Sequence, residues 1–358
     1  MKILDKYIIR KFLGTFFFAI ALIIFIVVVF DISEKLDDFL EKAPPLKAII
    51  FDYYFNFIPY IVILYSHLFT LIAVIFFTSQ MASRTEIVAI LSSGVSYRRL
   101  LLPYLLSALV IVILSLSFNH FIIPKATKKR IEFEDKYIRN EFYNTDKNIH
   151  IRLSPDKYIY LESYNTVLAV GYKFSIEMFN SGKLYYKLMA ENIQWDSITK
   201  HWIINNYHTR IINGMNEYMQ KGARIDTTFN FTPDEFGRKD NTLETMDYNE
   251  LNKFIISERL KGADNIELAE IEKYKRTAFP FATIILTLIG VSLASRKVRG
   301  GIGMHIGLGI FIGFTFIMFM QVSTTFSASG LVPPIVAVWI PNFIFSFLAW
   351  FLISKAQK

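Results

Sequence analysis

Apolar and polar positions follow two different rhythms along this chain. Six stretches contain no Asp, Glu, Lys or Arg: residues 12–30, 55–78, 100–123, 277–294, 302–322 and 334–353. The first holds 19 such residues. As a helix it is about 28 Å long, close to the hydrocarbon thickness of a bilayer. The other five are of similar length. Six such segments argue against buried helices of a soluble core and predict six membrane spans.

Between the third and fourth spans lies a 153-residue segment, 124–276, with a different pattern. Its charged start, 124–145, is expected to continue the third helix outward. From Asn148 the period changes to two, predicting strands at 148–153, 158–162, 171–179, 184–190, 202–212 and 226–231. Turn-formers separate them: Ser154-Pro155-Asp156, Asn180-Ser181-Gly182 and Asn213-Gly214. Short strands without intervening helices predict an antiparallel sandwich, jelly roll or open barrel. After Thr232-Pro233 the pattern is helical again, over 245–261 and 265–276. The expected fold is an α-helical membrane protein with six transmembrane helices (3+3) and an inserted extracytoplasmic all-β, jelly-roll-like domain. Its parts are 1–123 with the first three spans, 124–241 with the β domain, 242–276 with membrane-proximal helices, and 277–358 with the last three spans.

Composition agrees. Of 358 residues 53% are hydrophobic and 16% aromatic, with a mean hydropathy of +0.35 and no Cys. The absence of Cys excludes disulfides, thiolate metal sites and Cys nucleophiles. The net charge of +8 is unevenly placed. One set of polar segments holds twelve basic residues (Lys2, Lys6, Arg10, Lys11, Arg84, Arg98, Arg99, Arg296, Lys297, Arg299, Lys355 and Lys358) against Asp5 and Glu86. The opposite short loops, 31–54 and 323–333, hold three Lys against six acids. Basic residues favour the cytoplasmic side, so both termini are expected there and the β domain outside. The basic character follows from topology and makes no case for nucleic-acid binding. The first apolar block is too long for a signal-peptide core, so it is expected to stay as a signal anchor.

Catalytic patterns are missing. There is no G-x-x-x-x-G-K-[ST], no H-E-x-x-H and no G-x-S-x-G, and the six His show no metal-ligand spacing. His67 and His305 lie within or beside spans, where packing is the simpler role. Asn230-Phe231-Thr232 fits a glycosylation sequon, too short a match to carry weight.

Three features could carry function. In the loop 79–99, Glu86, Ile87, Ala89, Ile90 and Leu91 predict a short amphipathic helix, with Ser83 as N-cap in a capping box with Glu86 and Ser92-Ser93-Gly94 ending it. Such a helix suits docking onto another protein; it would also suit lying on lipid. Gly303/Gly307 and Gly309/Gly313 form two i, i+4 pairs that permit close helix approach, to a partner or inside the subunit. The inward face of the β domain, with positions such as Ile151 and Phe229, is a closed core in a sandwich but a groove for apolar chains in an open-edged jelly roll.

Leu4-Asp5-Lys6-Tyr7-Ile8, Ser83-Arg84-Thr85-Glu86-Ile87 with Ser93-Gly94, and Lys275-Arg276-Thr277-Ala278-Phe279-Pro280 resemble the LptF/LptG (YjgP/YjgQ) permease family. The resemblance extends over the 3+3 spans and over the β insert with Trp195-Asp196 and Trp202. The Leu-Asp-Lys-Tyr opening is more similar to the LptG branch. It implies the membrane half of an ABC transporter that extracts lipopolysaccharide from the inner membrane of Gram-negative bacteria. The implied partners are an LptF-like permease in a heterodimer, a dimer of the ATPase LptB, and the periplasmic bridge proteins LptC and LptA. This chain would bring no cofactor, ATP-Mg being held by the ATPase. The family's coupling helix maps onto 83–94, giving Ser83, Arg84, Glu86, Ile87, Ile90 and Gly94 coupling roles, with Glu86 as the docking acid. Where some relatives have a lysine near the substrate's phosphates, this chain has Asp31; Lys35, Lys42 and Lys47 lie nearby as replacements. Two other readings are a membrane-anchored sensor or scaffold, and an exporter of another lipid or lipoprotein.

Overall fold

The computed structural model describes residues 3–138, 147–154, 156–229, 231–233, 242–261, 266–296 and 301–356. Lys2, the expected helical stretch 139–145, Pro155, Asn230, Lys297, Arg299, Gly300 and Lys358 lie outside the described residues. Two compact units are present: Met1–Ile138 with Leu243–Leu251 and Glu267–Lys358, and Arg139–Thr242 with Asn252–Ile266.

The first unit is helical. In chain order it contains α1 (Ile3–Glu34), α2 (Leu36–Lys42), α3 (Leu46–Ala48), α4 (Phe55–Ser83), α5 (Glu86–Ser92), α6 (Tyr97–Ser117), α7 (Ile123–Tyr137), α8 (Thr242–Thr245), the start of α9 (Tyr248–Lys261), α10 (Ile266–Ala294), α11 (Gly301–Ala328) and α12 (Pro334–Lys355). π-helical turns at Ile49–Tyr54 and Phe118–Ile122 join α3 to α4 and α6 to α7. Six of these stretches are long and apolar enough to cross a membrane. Helices solve the bilayer's constraint because each satisfies its own backbone hydrogen bonds. Buried hydroxyls do the same locally: Thr70 donates to Ser66 O at 2.7 Å and Thr287 to Thr283 O at 2.7 Å.

α4 is the hub, packing against α1, α5, α7 and α11. Small residues let the backbones approach it. A Cβ on Gly290 of α10 would meet Leu71, Val74 and Ile75, and one on Gly309 or Gly313 of α11 would meet Ile75 or Leu68. Gly303 and Gly307 face open space, so within this subunit the two glycine pairs serve different surfaces. The buried stripe of α11 runs through His305, Gly309, Gly313, Phe316, Met320, Thr324 and Ser327, spacings of three and four that keep one face on its neighbours. Buried Arg276 on α10 donates to Glu272 at 3.1 Å, Met246 O at 2.8 Å and Leu243 O at 2.9 Å, fastening the α8 turn to that helix.

The second unit holds an antiparallel sheet of β1 (Lys147–Ser154), β2 (Lys157–Asn165), β3 (Val170–Asn180), β4 (Lys183–Asp196), β5 (His201–Asn213) and β6 (Asn216–Thr227), in the order β1-β2-β3-β4-β5-β6. The expected all-β insert is therefore an up-and-down sheet with its strands in sequence order. Three strands differ from expectation by three residues or more: β2 runs on to Asn165 instead of 162, and β4 and the last strand differ further. β4 continues through Trp195-Asp196, and the last strand is 216–227 rather than 226–231. β6 was invisible to pattern reasoning because it is almost entirely exposed and carries no alternation; Phe229 and Phe231, which do alternate, follow the strand.

The buried parity shifts within the strands. Going from Leu161 to Tyr164, Gly171 to Phe174, Ala190 to Ile193 and Ile204 to Tyr207, the inward positions are three residues apart instead of two. The register aligns these steps: Gly171 pairs with Tyr164 and Ile193, Ala190 with Phe174 and Tyr207. Lys173 (φ 50°) and Asn206 (φ 50°) sit in the row, as bulge-like residues should, and the Asn205 amide donates to Asn192 Oδ1 at 2.8 Å. A crease thus crosses the sheet and keeps one apolar face inward on both sides of it.

Trp202 anchors that face. Fully buried, it donates Nε1–H to Phe231 O at 3.0 Å and packs on Trp195 and Phe231, both with ring centres 5.1 Å away. Trp202→Ala should cost about 3–5 kcal/mol. Hydrogen exchange of the purified protein in detergent should accelerate about a hundredfold or more across β4 and β5, while α4 keeps its protection. Trp202→Phe should give a much smaller change.

Candidate functional site

The loop between α4 and α6 is built from local backbone rules. α4 runs unbroken to Ser83, whose hydroxyl bonds back to Gln80 O at 2.9 Å. Thr85 then takes a left-handed conformation (φ 62°), and α5 begins at Glu86. This corrects the expected capping box: Thr85, not Ser83, occupies the N-cap position, and no side chain caps the helix. Positive φ is costly for a β-branched residue, so the reversal stores strain of order 1 kcal/mol. After Ser93 the chain turns at Gly94 (φ 88°), where a side chain would be strained, and Ser96 caps α6 by accepting from the Arg99 amide at 3.3 Å.

Side chains then sort by depth. Ile87 is 1% exposed, in a core with Ile8, Phe12, Met81, Ala82, Leu100 and Tyr104; Ile90 and Leu91 pack against it. Ile87 and Ile90 therefore anchor α5. Arg84, Val88, Ala89, Ser92, Ser93 and Gly94 form its exposed surface. Val88 was not singled out from sequence, and Ala89 and Ser92 were read only as parts of the helix and its end; the helical offset from Ile87 and Leu91 is the signal that finds their outward face.

Two polar links tie this loop to the first span. Tyr7 donates to Glu86 Oε2 at 3.0 Å. Arg99 Nη2 donates to Asp5 Oδ2 at 2.8 Å, and the Asp5 side chain is only 4% exposed. Neither Asp5 nor Tyr7 was given a role from sequence, although an acid and a tyrosine two residues apart at the foot of an apolar helix was the available clue. Nearby, Tyr97 and Ser295 hydroxyls are 3.5 Å apart, and His305 Nδ1 lies 2.8 Å from Ser79 Oγ, bringing α6, α10, α4 and α11 together at the same end. His67 is packed between Phe279 and Phe316.

At the other end of α1, Asp31 accepts from Lys35 at 2.8 Å, Tyr53 at 3.1 Å and Tyr54 at 3.0 Å. Lys35 also donates to the Tyr53 hydroxyl and lies over the Tyr53 and Phe57 rings. Its charge is therefore engaged within the subunit. Lys42 is half-buried at the end of α2 and Lys47 is exposed on α3. A second cation, Arg130 of α7, is buried 4.7 Å from the Tyr60 ring centre and 3.4 Å from Glu134; its place in the charged run Lys128-Lys129-Arg130 gave no hint that it would be buried. Ile151 and Phe229 both pack on the inward face of the β unit, Phe229 stacked 5.0 Å from Phe231.

Comparison with curated proteins finds no match. The family model described as lipopolysaccharide export system permease LptF/LptG matches residues 6–355, nearly the whole chain, covering both the six apolar helices and the β insert. This chain belongs to the LptF/LptG family of lipopolysaccharide export system permeases.

Proposed function

We propose that this chain is the LptG-like permease of an ABC transporter, docked through α5 on a separate cytoplasmic ATPase dimer and paired with an LptF-like permease. The observation that carries the reading is the mounting of α5. Ile87 sinks it into the helical core, Glu86 and the adjoining Arg99 tie it to α1, and Val88, Ala89 and Ser92 remain outward for a partner. A helix held in this way passes displacement to three spans together: α4, α6 and α1.

The cargo is lipopolysaccharide, entering laterally from the outer leaflet. Each acyl CH₂ holds the lipid in the bilayer by roughly 0.8 kcal/mol, so extraction of a multi-chain amphiphile needs work. α1 and α11 are suited to wall the cavity with the partner permease. Only 17% and 22% of their apolar windows are buried, against 50–61% for the second, third and fourth spans. ATPase closure would push α5, narrow the cavity and drive the lipid to the apolar face around Ile151 and Phe229, then to LptC- and LptA-like bridge proteins. Lys35 is neutralised by Asp31, which leaves exposed Lys47 as the lysine to meet phosphates, for about 0–1 kcal/mol per exposed pair.

Two experiments test this. The chain is co-expressed with a candidate partner permease and ATPase, purified, and assayed for ATP hydrolysis. Glu86→Ala should weaken assembly or lower turnover; unchanged behaviour, with no ATPase co-purifying with wild type, contradicts the reading. The second is a thermal-unfolding double-mutant cycle on Asp5→Asn and Arg99→Met. It should show favourable coupling, the double variant losing less stability than the two single variants added together. In the assembled complex, either single variant should lower lipopolysaccharide release per ATP more than it lowers ATP hydrolysis.

A further inference from the structure

The foot of α1 carries a groove that the transport reading does not use. It has a volume of about 530 Å³ and is lined by Tyr7, Arg10, Lys11, Gly14, Thr15, Phe18 and Phe76. Its parts are ordered along the helix. Arg10 and Lys11 stand immediately before the uncharged run 12–30, which places them at headgroup depth on the N-terminal side of a bilayer. One turn further in, a Cβ on Gly14 would meet nothing within 4 Å, so the missing side chain leaves a slot. Phe18 of α1 and Phe76 of α4 wall that slot and are 70% and 42% exposed.

The charges at the mouth meet an aromatic ring rather than an acid: Lys11 Nζ lies 5.8 Å from the Tyr7 ring centre. Among the described residues no carboxylate pairs with Arg10 or Lys11, and no acid lines the groove. Glu86 reaches its rim only through the hydrogen bond from Tyr7. The Thr15 hydroxyl is turned back to Lys11 O at 2.8 Å, leaving the deeper wall apolar.

We infer that this groove binds an anionic phospholipid of the leaflet on the N-terminal side, with its phosphate between Arg10 and Lys11 and one acyl chain in the slot between Gly14, Phe18 and Phe76. Basic pockets at the membrane surface between spanning helices attract acidic headgroups, and the apolar slot below supplies the chain-binding half that a soluble anion would not need. The volume is that of a small-ligand site, in the range of about 300–1,000 Å³. A protein partner would instead cover a face of about 800 Å² and bring acids to these cations. A lipid at this position would brace α1 beside Tyr7. The inference concerns a lipid that stays in place, at the opposite end of α1 from Asp31 and Lys35, and it stands independently of the transport reading.

The chain has no Cys, so a single introduced thiol can be labelled cleanly. A fluorophore is placed on Leu22→Cys, exposed one helical turn beyond Phe18, and in a second protein on Phe347→Cys, exposed on α12. Each full-length protein is reconstituted in phosphatidylcholine vesicles containing brominated phosphatidylglycerol or, separately, brominated phosphatidylcholine. At position 22 the anionic quencher should act at a roughly tenfold lower mole fraction than the neutral one, whereas at position 347 the two should be equal. Arg10→Gln with Lys11→Gln should bring the two lipids within about twofold at position 22. Gly14→Leu should reduce quenching there by both lipids. Equal quenching by both lipids at position 22, or a preference untouched by removing the two cations, overturns the inference. So does poor quenching by either lipid at 22 with normal quenching at 347, which would mean that protein covers the groove.

Discussion

A carboxylate at the foot of a membrane helix with almost no contact with solvent needs a cationic partner, because an isolated buried charge is too costly to keep. Asp5 has that partner in Arg99, which belongs to the first turn of α6 rather than to its own helix. The pairing fixes where the loop that precedes α6 sits relative to α1. The Tyr7–Glu86 hydrogen bond repeats the constraint two residues along, and Ile87 locks α5 from beneath. The positions of α5, its outward residues and its route to three spans all depend on these contacts.

The rest of the helical unit is arranged around α4. Small residues on α10 and α11 bring their backbones against Leu68, Leu71 and Ile75, and aromatic packing of Phe12, Phe77 and Tyr104 joins α1 and α6 to its other side. Because α4 takes most of the internal contacts, α1 and α11 keep broad apolar faces for lipid, for a second permease, or for a lipid substrate passing between. The glycines of α11 show the division within one helix: Gly309 and Gly313 face α4, Gly303 and Gly307 face away.

What was legible in the sequence was whatever one-dimensional pattern encodes. The six spans were visible because hydrocarbon thickness imposes a length and forbids charge. Five strands were visible because one buried face imposes alternation. β6 was hidden because an exposed edge strand needs no alternation, and the crease was hidden because a three-residue step looks like a loss of pattern rather than a feature. The short helix of the 79–99 loop was recognisable from Glu86 to Gly94, yet Ser83 was misplaced as its cap, since nothing in a single sequence says that α4 will run on to that residue and that Thr85 will take the left-handed turn. Asp5, Tyr7 and Arg130 act through residues distant in the chain, and pairings of that kind have no periodic signature. Lys35 was recognisable as a charge near the outer end of α1; that Asp31 would neutralise it is a matter of three-dimensional placement.

The central claim is that α5 and the foot of α1 move as one body when the ATPase closes. Spin labels at Lys6 and Val88, both exposed, and at Phe30 and Phe326, exposed near the ends of α1 and α11, report this in the assembled complex by pulsed dipolar spectroscopy. On adding a non-hydrolysable ATP analogue, the 6–88 distance should stay constant while the 30–326 distance changes. A 6–88 distance that shifts while 30–326 stays fixed would contradict the account.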